Sequence, residues 1–152
     1  MGIEVTEIRE PNFAIDLPGE WEQTPSEEDG ALAFAQVGGD RRLAVLLLTV
    51  RPVFAIADPQ RMLQDYMSHR SRFEAGRLPS LDQSIPEIHE GSDALVGTWS
   101  AVDMETGHRF KHHVVRDGNL LADFRYEAGG LEEVDFTAEV DAAFATAHAT
   151  AG

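Results

Sequence analysis

At 152 residues the chain suits one domain, 1–152, able to bury about 70% of its unfolded surface. Its formal charge is −15, with ten acids against Arg9 alone in residues 1–40, which argues against nucleic acid and anionic membrane. Cysteine is absent, which removes disulfides, thiolate zinc sites and cysteine nucleophiles.

The N-terminus lacks the basic start and apolar run of a secretory signal. The longest apolar run, 43–50, is far short of the ~20 residues of a membrane span. A cytoplasmic location without membrane insertion is expected. Lys111 is the single lysine beside eleven arginines, which with abundant alanine fits a GC-rich bacterial source.

Residues 3–8 alternate and predict a short edge strand. The next strand spans 12–17, with Phe13, Ile15 and Leu17 on one face. Pro18 and Gly19 stop it, and Trp21 follows to cover its end. Residues 24–30 form a polar, acidic loop. Strands over 31–37 and 41–50 follow, joined by a turn at Gly38-Gly39-Asp40. The stretch 43–48 has no polar position, as in strands covered on both faces, and so predicts helices on both sides of the sheet.

Asp58-Pro59 reads as an N-cap followed by proline at the first helical position. Met62, Leu63, Tyr66, Met67, Arg70 and Phe73 recur at helical spacing, and Gly76 ends the helix. Past a connector at Leu78-Pro79-Ser80-Leu81, strands are predicted over 82–90, 93–102, 107–116 and 119–127. The end, 132–147, reads as an amphipathic helix with Phe136, Val140, Ala143, Phe144 and Ala147 inward. In the last hairpin the apolar pattern selects a three-residue loop, Arg116-Asp117-Gly118. That register sets Phe110 opposite Phe124, His112 opposite Ala122 and Val114 opposite Leu120. Lys111 then pairs with Asp123 on the other face.

Candidate chemistry is sparse. His108, His112 and His113 lie near Asp103 and Glu105, but adjacent strand residues point to opposite faces, so no metal site is expected. One histidine should pack at the core edge and two should be exposed. Ser100 lies inside a predicted strand, where a nucleophile elbow cannot form. The glycine pairs 38–39 and 129–130 lack the Lys and Ser or Thr of a phosphate loop. The carboxylates fall in polar segments, where nothing raises one of a pair for acid–base work. Arg61, Arg70, Arg72 and Arg77, with His69, give the first helix a basic face that balances the acidic termini.

The stretch 13–21, the Gly97-Thr98-Trp99 strand and the turn at 115–121 together resemble the PsbP-like superfamily, over nearly the whole chain. That group includes the extrinsic photosystem II subunit PsbP, a Ran-binding nuclear import factor and small bacterial proteins. Asp65-Tyr66, Leu78-Pro79 and Trp99 are similar to features of its type VI secretion branch, the effector-associated adaptor chaperones. Those proteins are cytoplasmic and usually dimeric, and shield apolar segments of a client, so that branch implies a homodimer. The resemblance implies an α/β (α+β) fold: a twisted, mainly antiparallel sheet flanked by helices.

The expectation is a non-catalytic protein-binding or adaptor domain with no cofactor and no metal, and not an enzyme. Its partner would be a protein, docking on an exposed strand face at Lys111, Asp123 and Arg125 and on the basic helix at Arg70. One alternative is an adaptor chaperone for a secreted effector with apolar segments. Another is a small-molecule or enzymatic domain using a pocket between sheet and helix, for which no convergent polar set is visible.

Overall fold

The structure, a computed structural model, describes residues 4–49, 59–90 and 94–150. The expected N-cap Asp58 lies outside the described residues. The first strands are β1 (Val5–Arg9), β2 (Phe13–Pro18), β3 (Trp21–Thr24), β4 (Ala31–Gln36) and β5 (Arg42–Thr49). Helix α1 (Pro59–Arg77) leads to β6 (Leu81–Gln83), β7 (Glu87–Glu90), β8 (Leu95–Asp103), β9 (Arg109–Asp117) and β10 (Leu120–Ala128). Helix α2 (Glu133–Phe144) and a short β11 (His148–Ala149) close the chain.

The strands form two antiparallel sheets. The larger runs β3-β4-β5-β10-β9-β8-β6, with β7 also paired to β8. The smaller runs β1-β2-β11, so the C-terminal strand lies against the N-terminal one. Strict alternation in β2 sends Phe13, Ile15 and Leu17 inward, where they are fully buried. Trp21 covers the end of β2 as expected, and its Nε1 donates to Pro18 O at 2.7 Å.

Two cores result, one on each face of the large sheet. The first packs β2 and the α2 residues Phe136, Val140 and Phe144 against Phe124 and Tyr126. Glu139 of α2 ties that layer down, accepting from Arg41 Nε at 3.0 Å and Tyr126 Oη at 2.5 Å. The second core packs Leu63 and Met67 of α1 on Trp99, Val114 and Leu121. Gly97 makes that approach possible, because a Cβ there would stand 2.3 Å from Met67 Sδ.

Four expectations are corrected. Helices flank the large sheet only in part, because the small sheet shares one face with α2. On the other face α1 leaves the end of β5 uncovered, and Leu48 is 36% exposed. The strand expected over 82–90 is broken between β6 and β7, and α2 stops at Phe144 so that β11 can pair.

The last hairpin turns at Gly118-Asn119, with Asp117 opposite Leu120. Gly118 has φ +59, the conformation that a tight two-residue turn asks of its first residue. Phe124 therefore faces His113, and Lys111 faces Tyr126, not Asp123. Phe110, Val114, Leu120 and Phe124 are all buried, but Val114 and Phe124 serve opposite cores.

Candidate functional site

The register sets three rungs on the α1 side of the large sheet. Trp99, His112, Arg125, Ala44 and Ala33 are successive partners across β8, β9, β10, β5 and β4. Val114, Asp123, Leu46 and Ala31 form the neighbouring rung. Phe110, Glu127, Arg42 and Ala35 form the one on the other side. Charged residues thus stand in the middle of a sheet face, and α1 lies over them.

The stripe that α1 turns inward is Leu63, Met67, Arg70 and Glu74, apolar in its first half and charged in its second. Phe73, expected on this stripe, is 46% exposed and packs under the Arg70 guanidinium. Arg70 and Glu74 meet the polar rungs. Asp123, only 3% exposed, accepts from Tyr66 Oη at 2.6 Å, and its other oxygen lies 2.9 Å from His112 Nδ1. An ionised carboxylate only accepts, so Nδ1 carries the hydrogen. The imidazole is stacked flat on Trp99 at 3.9 Å, and Trp99 Nε1 donates to Gln83 Oε1.

Burial works against the charge of Asp123, yet His112, Tyr66 and Arg70 outweigh it and hold the carboxyl below its usual range. The same burial, with Asp123 adjacent, pushes the Tyr66 hydroxyl well above its ordinary value. The proton between them therefore stays on the phenol. Arg70 reaches outward to Glu28 in the acidic loop, donating from both Nη atoms at 2.6 and 2.7 Å. That bidentate bond lowers the Glu28 carboxyl and straps loop 25–30 to the helix.

Glu74 is the anomaly. It is 2% exposed, and neither carboxylate oxygen has a hydrogen bond. Its Oε1 lies 3.4 Å from Arg125 Nε, 3.5 Å from Arg70 Nη2 and 4.0 Å from His112 Nε2. These are ion-pair distances without donor alignment.

Beside this network opens a cleft of about 550 Å³. Its floor is the face of β4 and β5 where Ala31, Ala33, Ala35 and Ala44 leave the space that larger side chains would fill. Loop 25–28 forms one wall, and Glu74, Arg77 and Leu78 at the end of α1 form another. Phe110, Arg125, Glu127 and His108 close the far side, with Arg125 lying over the Phe110 ring at 4.4 Å.

Of the four residues expected to bind a partner, the structure gathers Arg70, Asp123 and Arg125 around Glu74. They do not form an exposed docking face, since Asp123 and Arg70 are buried and Arg125 is half-buried. Lys111 lies on the opposite face of the sheet, 3.9 Å from Asp141 of α2. The histidines also differ from expectation. His112 is buried, His113 packs on Phe144 at 4.9 Å, and His108 meets Glu127 at 3.0 Å. The expectation that carboxylates stay solvated fails at Glu74, Asp103 and Asp123. Glu74 was legible in principle, lying seven residues after Met67 and four after Arg70 on the inward stripe.

No family model matches the chain, and neither does any curated protein. Among solved structures, the solution structure of cyanobacterial PsbP (CyanoP) from Synechocystis sp. PCC 6803 is similar at a TM-score of 0.71. The identity is 11%, over 99% of this chain and 95% of that one, so the likeness shows a PsbP-like fold alone. A crystal structure from Bacteroides thetaiotaomicron matches at a TM-score of 0.45 and 11% identity. It covers 91% of this chain and 45% of that one, and carries no argument. Among the described residues, no helix is long and apolar enough to cross a membrane.

Proposed function

We propose that the chain is a non-catalytic binding domain that holds a segment of a protein partner in the cleft under loop 25–30. One observation carries this reading: His112, Asp123 and Tyr66 are closed on one another beneath α1. His112 is stacked under Trp99 and bonded to Asp123, and Asp123 is filled by Tyr66 and His112. A general base needs a reachable proton at hydrogen-bond distance, and neither His112 nor Asp123 lines the cleft. The cleft beside them is open, roomy and partly apolar, which suits recognition.

An apolar-segment chaperone is less well supported, because it needs a contiguous exposed apolar face. The seven exposed large apolar residues among those described are scattered along the chain: Val5 on β1, Val37 after β4, Leu48 on β5, Phe73 on α1, Ile85 between β6 and β7, Met104 after β8 and Val134 on α2.

The test pairs a broad hydrolase and transferase screen with affinity capture by the wild type and by Ala33→Trp, which fills the cleft floor. Absence of turnover is expected, with a partner retained by the wild type and released by the variant. Robust turnover abolished by His112→Ala or Asp123→Asn would overturn the reading, as would a partner held equally by both proteins.

A further inference from the structure

We infer that the cleft recognises a basic side chain, an arginine guanidinium or a lysine ammonium, presented by the partner segment. This rests on the binding-domain reading and names the chemistry its cleft would select. The first support is Glu74, a buried carboxylate on the cleft wall with no hydrogen-bond donor at either oxygen. The nearest approaches of Arg125, Arg70 and His112 are all to Oε1, at 3.4 to 4.0 Å, and none has the alignment of a hydrogen bond. A buried acceptor left without a donor carries its full desolvation cost, which an entering N–H group would relieve.

The second support is charge. Among the described residues the cleft lining holds five carboxylates against three guanidiniums, Arg42, Arg77 and Arg125, and the buried pair of Asp123 and Arg70 beneath it leaves that excess unchanged. A cationic group reduces that imbalance, whereas an anion enlarges it. The chain's −15 charge acts in the same sense at long range, drawing cations toward the mouth.

Shape is the third support. The alanine floor accepts an unbranched aliphatic stem, as Lys and Arg supply, with the charged head carried to the end of the cleft. A bare metal ion fits less well, since no group of three or more ligating side chains among the described residues converges on one point.

The experiment titrates the intact protein with three short capped peptides that are identical except for a central arginine, lysine or citrulline. Citrulline keeps the length and stem of arginine and removes its charge. The arginine and lysine peptides are expected to bind at least about tenfold tighter than the citrulline peptide, a factor set by one charge-assisted contact. Glu74→Gln should narrow that gap to about twofold, and Ala33→Trp should abolish binding of all three.

Equal affinity for arginine and citrulline peptides overturns the inference, as does a preference that survives Glu74→Gln. Melting curves check that each variant folds. If Glu74→Gln does not, Ala33→Trp decides alone, and an arginine preference that persists in it overturns the inference. If no peptide discriminates but Ala33→Trp still releases the captured partner, this inference falls and the binding-domain reading stands. If Ala33→Trp keeps its partner, the reading itself falls.

Discussion

Asp123 keeps its charge beneath a helix because three partners converge on two oxygens: the His112 imidazole, the Tyr66 hydroxyl and, at 3.9 Å, the Arg70 guanidinium. Removing one member of such a set leaves the others desolvated and unpaired, which costs more than the set contributes when whole. Asp123→Ala should therefore lose about 3–5 kcal/mol of unfolding free energy in urea. Tyr66→Phe removes a single hydrogen bond to a charged group and should lose only ~1.5–3 kcal/mol. An Asp123→Ala protein as stable as the wild type would mean the cluster is solvated. Trp21 makes a separate case, since its ring packs on Tyr126 at 5.9 Å and its Nε1 closes the end of β2. Truncation to Ala should cost ~3–5 kcal/mol. Unchanged stability would mean that the ring is exposed.

Elements whose two faces differ in polarity were legible, and elements that mix them were not. β2 alternates cleanly and α2 carries one apolar stripe, so their inward residues were read correctly, except that Ala147 lies beyond the end of α2. β9 and β10 have apolar residues on both faces because both are covered, one by α2 and the small sheet, the other by α1. Alternation then gives no preference for one register, and a search for a single apolar face chose the wrong one. What decides the register is the turn, where Gly118 alone takes positive φ and Asn119 follows it. Gly118→Ala should therefore cost about 1–2 kcal/mol, the penalty of a left-handed conformation for a residue with a Cβ. A melting curve unchanged by that substitution would show that the turn relaxes to another type. Gly107 also has positive φ, but it belongs to a looser turn.

At the scale of the molecule, the site was hidden because it is assembled from distant parts of the chain. Glu28 and Arg70 are 42 residues apart, and Tyr66 and Asp123 are 57 apart. No local spacing reports such pairs, whereas much of the strand and helix order could be read from periodicity and turn residues, with β3, β11 and the break between β6 and β7 as the exceptions. Burial of charge has a global consequence, because groups that resist protonation make stability depend on pH. His113 is the clearest. Burial against Phe124 and Phe144, then the nearby Lys111, lower it to about 4, while Asp123 and Asp141 oppose them weakly.

In the unfolded chain the same histidine titrates near ~6.5. Between those values the unfolded state binds a proton that the folded state refuses, so stability falls as pH drops through this window. The expected loss is on the order of 3 kcal/mol, complete once pH passes below the folded value. Asp123, Glu28 and Glu139 act in the same direction but lower down. Their folded values are depressed, so their contribution is present above ~4 and is lost as pH falls through the folded range. The two windows can be separated by His113→Phe, which keeps a ring against Phe144 and removes the titrating nitrogen. Urea midpoints measured from about pH 7 down to about pH 4 should fall steeply for the wild type and much less for the variant. Below that, the two curves should run parallel as the carboxylates titrate. Parallel curves throughout the upper window would mean that His113 is protonated in the folded protein, and that its contact with Phe144 does not exclude water.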